Sequence, residues 1–308
     1  MKKRVCIIGV NYSYHVLLQS LRHFNNFEVV GIAGKKKRKK VISENICYYT
    51  SWKKMINQLN PSLVVIGVPP MEQEKILEFL LKKKIDFLCE KPISKTNKKI
   101  KLFKSLSKKN NNKKIIDLNF LTIPAIIKFK EIINNMNLTN DDLIKINWFF
   151  KPKSQSDKQS WKNNIKKIGG ELNNFLFHLL SVIFYFFGNF KISYLQNKNS
   201  FYIFLIETKK NKFKLNFCSK SNKNKFLIKI KSRKGNYSLI NNSKDYHNNF
   251  YIKKNNFTIF KKNFPKNKSR VFASKNILSL FLKNDNNLFK ETNFQRGLQI
   301  QEKIINLK

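Results

Sequence analysis

The sequence has few acidic residues. Asp and Glu number 18 among 308 residues, against 62 Lys and Arg, so the formal net charge is +44. A basic excess of this size is typical of nucleic-acid-binding proteins. The lysines are scattered, however, and Lys, Asn, Ile and Phe, which all have AT-rich codons, are abundant together. We therefore attribute the charge to base composition and expect no specific nucleic-acid partner, only nonspecific binding of polyanions at low salt.

Cysteines are few, and long apolar runs are missing. The four cysteines have no Cys-x-x-Cys spacing, which argues against a structural zinc site and indicates a reducing, cytoplasmic compartment. No metal site and no signal peptide are expected. The most apolar stretch, residues 175–187, spans 13 residues and includes His178 and Ser181. Because a membrane-spanning helix needs about 20 apolar residues, this stretch predicts a buried helix and no membrane association.

Glycine is also scarce, and this bears on the stretch "CIIGVNYSYH" near the start. An apolar run, residues 5–8, ends at Gly9 and precedes a helix-like segment, where nucleotide-binding folds have their glycine-rich turn. A Gly-x-Gly-x-x-Gly pattern would have glycines at Asn11 and Tyr14. Asn11 tolerates a left-handed backbone, and amides at a helix N-terminus can still bind a pyrophosphate. The stretch is either an ordinary turn or a divergent phosphate-binding turn.

The first 120 residues alternate between strand and helix patterns. Strands are predicted at residues 5–9, 28–33, 62–67, 86–89 and 114–119, and helices at 16–24, 52–59, 72–83 and 97–108. Runs as apolar as "SLVVIGV" suit strands that are covered on both faces. The pattern predicts an α/β fold class, with an N-terminal Rossmann domain, residues 1–120, built on a doubly wound parallel sheet.

The pattern changes after residue 121 and predicts a C-terminal α+β domain, residues 121–308, with a large open antiparallel sheet. The last helix is a candidate to pack back on the first domain. The predicted helices are 124–133, 171–187, 274–282 and 294–307, the predicted strands are 143–150, 201–207, 212–220, 225–232 and 248–254, and residues 151–168 are predicted as a polar loop.

The turns after the parallel strands are the places to look for ligand-binding residues. After residues 28–33, "GIAGKKKRKK" has Gly34 where an NAD site usually has Asp or Glu, followed by the basic run 35–40. This favours NADP, whose 2′-phosphate would lie among cations such as Lys35, although a solvated lysine run gives the same pattern. After residues 62–67, Pro69 stiffens the loop beneath a nicotinamide ribose.

"CEKPIS" follows residues 86–89 and has the strongest chemical signal. Pro92 restricts Lys91 to extended conformations, so Lys91 is presented rigidly at the carboxyl edge of the sheet. There it can hold a substrate hydroxyl, unless it is a chance surface lysine. In the second half, His178 in the apolar helix is either a packed core residue or a general acid/base.

Together these motifs resemble the glucose-fructose oxidoreductase and inositol dehydrogenase (Gfo/Idh/MocA) family. Glu90-Lys91-Pro92 is similar to its Glu-Lys-Pro motif, and "GGELNNFLFHLLSVIFYFFG" to its glycine-led helix containing His. The resemblance implies a cytoplasmic NAD(P)-dependent oxidoreductase acting on a sugar, cyclitol or nucleotide-sugar hydroxyl or carbonyl, with surface-polysaccharide synthesis as a candidate role. It also implies a homo-oligomer formed through the C-terminal sheet.

The resemblance assigns the following roles. Lys91 and His178 are catalytic, and Lys162 and Asn174 bind the carbohydrate with them. The cofactor, NADP or NAD, is bound by Gly9, Asn11, Tyr12, Ser13, Lys35, Pro69, Glu90 and Lys91. Because Asn11 and Tyr14 replace glycines, the alternative is a catalytically silent binding or scaffold member of the same family.

Overall fold

The computed structural model describes residues 2–35, 46–109, 111–151, 172–283 and 286–307. The chain divides into two compact units. The first comprises Met1–Asn119 and Arg270–Glu302, and the second comprises Phe120–Ser269 and Lys303–Lys308. None of the helices in the described ranges is long and apolar enough to cross a bilayer.

The first unit contains a six-stranded parallel sheet, which confirms the predicted Rossmann-type fold. In the order β3-β2-β1-β4-β5-β6 the strands are Cys47–Tyr49, Phe27–Ala33, Lys3–Ile8, Leu63–Ile66, Asp86–Cys89 and Lys114–Ile116. The helices in chain order are a π-helical turn Ser13–Leu18, α1 (Gln19–Leu21), α2 (Trp52–Leu59), α3 (Pro70–Lys83) and α4 (Asn97–Lys108). From the C-terminal segment come α7 (Ser269–Leu278), α8 (Asn286–Thr292) and α9 (Phe294–Ile305).

The central strands are covered on both faces, as their apolar sequences predict. Each residue of β4 is completely buried. Cys6 and Ile7, on opposite faces of β1, have no exposed surface. The edge strand β3 was not predicted, because its three residues are only half-buried or exposed and lack the continuous apolar run that marks its neighbours.

Asparagine ends two of the described helices where glycine is the usual residue. Asn60 follows α2 and Asn137 follows α5 (Pro124–Met136), and both have left-handed backbones. Six of the eight non-glycine residues with positive φ in the described ranges are asparagines. Asparagine takes this conformation at less cost than most residues, so a chain with 9 glycines can still close its helices.

The second unit contains the predicted large sheet, which is mixed and mostly antiparallel. Its eight strands have the order β14-β13-β12-β11-β7-β10-β9-β8. Among the described strands of this sheet, only the neighbours β7 and β10 are parallel. In chain order from β7 they are Leu143–Phe149, Phe190–Lys198, Phe201–Thr208, Lys212–Cys218, Lys225–Ser232, Gly235–Asn241, Tyr251–Lys254 and Phe257–Lys261. The helices of this unit include α5 and α6 (Phe177–Phe187), which is preceded by a π-helical turn, Leu172–Leu176.

One face of this sheet has lysines in neighbouring positions on adjacent strands. Lys145 on β7 lies opposite Lys214 on β10 and opposite Lys229 on β11. Lys145 and Lys214 are exposed, and the alternating residues Phe213 and Leu215 are buried on the other face. Like charges directly opposite each other repel, so this face is electrostatically unfavourable without counter-ions.

Gly297 in α9 provides a test of the packing between α9 and the first sheet. A Cβ placed on it would collide with the Cδ1 atom of Ile116 on β6. We expect Gly297→Ala to destabilise the protein by about 1–3 kcal/mol, measured by urea unfolding. Ile116→Val removes the colliding methyl group, so the double variant should lose less stability than the sum of the single variants. Additive losses would show that this contact does not limit the packing.

Candidate functional site

The turn after β1 is built by close backbone packing around Gly9. Gly9 has φ +117°, and a Cβ there would come within 2.5 Å of the Gly67 carbonyl oxygen after β4. The Ser13 side chain is buried beside both glycines, and its hydroxyl lies 3.3 Å from the carbonyl oxygens of Ile8 and Gly67. Glycine is therefore required at positions 9 and 67, and the Ser13 hydroxyl contacts the backbone of the turn.

The two residues in place of fingerprint glycines do not strain the turn. Neither Asn11 nor Tyr14 has a positive φ, so Asn11 does not use the left-handed conformation that it would tolerate. The Asn11 carbonyl accepts a hydrogen bond from the His15 N–H at 3.0 Å, which begins the helical segment. The first N–H groups of a helix have no intrahelical acceptor and favour an anion.

The Tyr12 side chain connects the turn to two distant parts of the first unit. Its hydroxyl donates to Asp117 Oδ2 at 2.9 Å, just beyond β6, and lies 3.2 Å from the Ser274 hydroxyl on α7. Ser274 also donates to Asp117 Oδ2 at 2.9 Å. Asp117 and Ser274 are completely buried. The predicted cofactor-binding residue Tyr12 therefore anchors the turn through its side chain.

The end of β2 has no carboxylate in the position typical of NAD-binding sites. β2 ends at Ala33, and the Gly34 carbonyl accepts a hydrogen bond from the Tyr48 hydroxyl at 2.8 Å. The ammonium group of Lys35 lies 3.2 Å from the Glu72 carboxylate, in an exposed ion pair that contributes little to stability. The remainder of the basic run, residues 36–40, lies outside the described residues.

Pro69 and Gln73 organise the next two turns of this sheet edge. The Pro69 carbonyl accepts the N–H groups of Glu72 and Gln73 at 3.0 Å, which begins α3. The Gln73 side-chain amide is buried and donates to the carbonyl oxygens of Glu90 at 2.6 Å and Pro92 at 3.0 Å. These carbonyls lie on either side of Lys91, so Gln73 fixes the backbone that presents the predicted catalytic lysine.

Two further side chains hold the loop after Pro92. The Ile93 N–H donates to Gln301 Oε1 of α9 at 2.9 Å. The Ser94 hydroxyl donates to the Glu74 carboxylate of α3 at 2.6 Å. The Lys91–Pro92 peptide is cis. The loop is thus attached to two helices, and Lys91 is half-buried on a backbone with little freedom.

Glu90 and Asp117 form a carboxyl pair beside Lys91. Burial, followed by the charge of Asp117, raises the pKa of Glu90 from 4.5 to about 8, while the Lys91 ammonium opposes this increase. Burial also raises the pKa of Asp117, although hydrogen bonds from Tyr12, Glu90 and Ser274 favour its ionised form. We assign the proton to Glu90 near neutral pH, because Asp117 has the better hydrogen-bond donors. The pair can therefore hold and release a proton.

In the second unit, His178 lies on α6 and is half-buried among buried neighbours. Its ring stacks on Phe120 with centroids 4.6 Å apart and planes at 18°. Phe120 also contacts Trp148 and, edge to face, His247. The Ser181 hydroxyl donates to the His178 carbonyl at 2.7 Å. His178 is therefore held by ring packing and is not fully enclosed in the core.

The remaining predicted substrate-binding residues are Asn174 and Lys162. Asn174 is 4% exposed in the π-helical turn before α6. Lys162, Gly169 and Gly170 lie outside the described residues. The roles predicted for Lys91, His178, Asn174 and Lys162 stay predictions.

Sequence reasoning missed Asp117, Ser274, Gln73 and Gln301. Asp117 had a local signal, since it is an acidic residue directly after the apolar strand β6. Ser274 and Gln301 had none, because they lie 157 and 208 residues from their partners Asp117 and Ile93. Gln73 resembles any other polar residue of a helix until the position of the loop is known.

Comparison with known proteins gives the family of the N-terminal domain. A family model described as an oxidoreductase family with an NAD-binding Rossmann fold, Gfo/Idh/MocA, matches residues 3–117. The N-terminal domain therefore matches the Gfo/Idh/MocA family. The match ends at Asp117, so it includes the β1 turn and the Glu90-Lys91-Pro92 motif. No curated protein sequence gives a significant match.

Solved structures share the fold over the whole chain at low sequence identity. An oxidoreductase from Thermotoga maritima, TM0312, has 19% identity and a TM-score of 0.77, covering 99% of this chain and 95% of its own. The WlbA dehydrogenase from Bordetella pertussis, solved with NADH and UDP-GlcNAcA, has 13% identity and a TM-score of 0.77, covering 97% and 93%. The super-repressor mutant of Gal80p from Saccharomyces cerevisiae has 13% identity and a TM-score of 0.80, covering 100% and 95%.

The Gln73 hydrogen bonds can be tested without a substrate. Gln73→Glu keeps the size of the side chain but replaces its N–H donor with an oxygen that faces two carbonyl oxygens. We expect a loss of about 3 kcal/mol in urea unfolding at pH 7, because buried acceptors lose their donor. The loss should shrink at acid pH, where a protonated carboxyl can donate once.

The matched control is Gln58→Glu, the same change at an exposed position of α2. It should alter stability by less than about 0.5 kcal/mol. Equal losses in the two variants would contradict a special role for Gln73.

Proposed function

We propose that the protein is an NAD(P)-dependent oxidoreductase that transfers hydride to or from a hydroxyl or carbonyl carbon of a sugar, cyclitol or nucleotide sugar. The observation that carries the proposal is the attachment of the Lys91 loop. Lys91 follows β5 and the Gly9 turn follows β1, and both strands flank β4, so both groups lie at the carboxyl edge of one sheet. This edge is where open α/β sheets bind ligands.

The residues of the first unit fit a dinucleotide. Gly9 allows the tight exit from β1, the helical segment after it has no acidic residue in its first turn, and its N-terminal amides can face a pyrophosphate. Asn11, Tyr12 and Ser13 would bind through these amides, with Pro69, Glu90 and Lys91 closer to the nicotinamide. The absence of a carboxylate after β2 supports NADP over NAD, with Lys35 near the 2′-phosphate.

The chemistry follows from the charges available. When bound, a nicotinamide cofactor would supply the acceptor or donor of the hydride. The Lys91 ammonium stabilises the negative charge that develops on the substrate oxygen, and a ring nitrogen of His178 takes or returns the hydroxyl proton. Asn174 and Lys162 would orient the substrate. The four unpaired cysteines are consistent with the cytoplasm as the site of action.

A second candidate is a catalytically silent binding or scaffold protein. The Gal80p mutant is among the structures with the same fold, and the glycine pattern of the β1 turn is incomplete. This candidate predicts that the fold is retained without turnover. The anchored Lys91 loop favours the enzyme, because a scaffold has no need to fix a lysine at this edge.

Fluorescence titration with NADPH and NADH is the first test of the proposal. We expect saturable binding of at least one of them, with NADPH the tighter ligand. The absence of binding at about 1 mM, a weak affinity for a cofactor, would contradict the enzyme. Binding without turnover of any sugar or nucleotide sugar would favour the scaffold.

Lys91→Ala tests the catalytic assignment. With a substrate that supports turnover, kcat/KM should fall at least about 100-fold, as when a charge-stabilising donor is removed, while unfolding in urea changes little. Lys95→Ala removes a nearby lysine of the same loop and should retain most activity. Similar losses of kcat/KM in the two variants would show that the overall positive charge of the loop matters, and not Lys91 in particular.

We also propose that the protein forms a homo-oligomer through the open face of the large sheet. The opposed lysines Lys145, Lys214 and Lys229 would then face a second copy, so association should require screening or bridging anions. Light scattering should show a larger oligomer fraction as salt rises from roughly 0.05 M to 0.5 M.

Lys145→Glu places an acid between two lysines and should increase association at low salt. The control is Lys75→Glu on the exposed side of α3, which changes net charge by the same amount. A protein that remains monomeric at all salt concentrations would exclude this interface. Equal effects of the two variants would show that only net charge matters.

A further inference from the structure

The carboxyl pair, Glu90 and Asp117, has one oxygen whose hydrogen bonding is incomplete when both groups are ionised. Asp117 Oδ2 accepts hydrogen bonds from Tyr12 and Ser274. Asp117 Oδ1 is buried and accepts none from the N–H and O–H groups of the described residues. An unsatisfied buried acceptor is costly. The neighbouring Glu90 carboxyl can supply the missing donor, provided that it carries a proton.

The groups around Glu90 and Asp117 favour the state in which the pair carries one negative charge. Lys91 lies beside it on the loop after β5 and favours ionisation. Tyr12 on the β1 turn is half-buried and Cys89 on β5 is completely buried, and loss of solvation raises the pKa of each above its ordinary value. Both are therefore neutral. α7 contributes the neutral Ser274. Among the described residues, Lys91 is the lysine whose charge acts on the pair, which would carry two negative charges if it were fully ionised.

The pair is connected to the dinucleotide-binding turn through Tyr12. Tyr12 directly precedes the π-helical turn Ser13–Leu18, and its hydroxyl reaches across to Asp117. The turn lacks the fingerprint glycines that allow close backbone approach to a phosphate, so its position relative to the ligand depends on its anchors. The Asp117 carboxylate is the charged anchor of Tyr12.

We propose that a proton shared by Glu90 and Asp117 holds Tyr12, and with it the β1 turn, in the position that binds the dinucleotide, and that loss of this proton weakens binding. Asp117 is then a positioning residue that acts through Tyr12. The inference rests on the proposed cofactor. With the proton present, Glu90 donates to Asp117, and Asp117 accepts from Tyr12 and Ser274. Without it, two adjacent carboxylates repel and the anchor shifts.

The expected pH dependence follows from the raised pKa of Glu90. Between about 4.5 and 8 the folded protein retains a proton that an unfolded glutamic acid releases. Stability therefore decreases as pH rises through this interval, and the penalty is complete above it. Dinucleotide affinity should be constant at lower pH and decrease as pH rises through about 8, where the folded pair loses its proton.

The experiment measures the Kd of NADPH and NADH by nicotinamide fluorescence from pH 6.5 to 9.5. For the unaltered protein we expect Kd to rise roughly tenfold across this range, as for loss of one hydrogen bond to a charged group. Asp117→Asn keeps an acceptor for Tyr12 but removes the like charge, so its profile should be flat. Glu90→Gln supplies a permanent N–H donor and should also abolish the pH step, whatever its effect on absolute affinity.

Tyr12→Phe tests the route of transmission. It should raise Kd at every pH and remove the step, because the anchor is lost. The control is Ser20→Ala, which removes a different hydrogen bond between this helical segment and α7, from Ser20 to the Val271 carbonyl at 2.8 Å. Ser20→Ala should keep the pH step. Urea unfolding without cofactor should show stability falling between about pH 4.5 and 8 in the unaltered protein, and falling less in Asp117→Asn, where burial of Glu90 remains but the charge of Asp117 is gone.

The outcomes separate this inference from the proposed function. Absence of NADPH and NADH binding at every pH overturns the proposed function, and the inference with it. Binding with the same pH profile in the unaltered protein, Asp117→Asn and Glu90→Gln overturns the inference alone. If Asp117→Asn does not fold, Glu90→Gln and Tyr12→Phe still decide the matter, because a retained pH step in both contradicts it.

Discussion

The hydrogen bond between the Tyr12 hydroxyl and Asp117 is the interaction on which the ligand edge of the first unit depends. It joins the turn after β1 to the end of β6, and Ser274 on α7 completes the connection. β1 and β6 are not neighbours in the sheet, so the backbone hydrogen bonds between strands do not join the segments that follow them. Here a buried carboxylate makes the link, and burial of its charge is tolerated only because donors surround it. The geometry of the turn thus follows from a residue that no phosphate would touch.

A similar arrangement fixes the loop that presents Lys91. Gln73 on α3 bonds the carbonyls on either side of Lys91, and Gln301 on α9 bonds the next free N–H. α9 belongs to the C-terminal segment that returns to the first unit. Lys91, the catalytic candidate, is therefore positioned by one helix from the N-terminal part of the chain and one from the C-terminal part. Rigid support of this kind reduces the cost of orienting a charged group in a reaction.

The sequence predicts the elements whose signals are local. β5 and the helices α2 and α4 were predicted to the residue, because β5 is an apolar run and Ser51 and Thr96 cap the helices. The strands β3, β8, β12 and β14 were missed, since each is short, polar or half-exposed. The Glu90-Lys91-Pro92 motif was found from its position after a buried strand. Asp117, Ser274 and Gln73 act through contacts between distant segments, which no periodicity encodes.

The replacement of glycine by asparagine at left-handed positions has an evolutionary consequence. Asparagine codons are rich in A and T and glycine codons in G and C, so nucleotide drift can exchange the two at helix ends at little structural cost. The exchange stops where space is lacking. At five of the seven described glycines an added Cβ would lie less than 3 Å from a neighbouring atom. The glycines that such a genome retains therefore mark the closest backbone contacts of the fold, and their small number makes each one more informative.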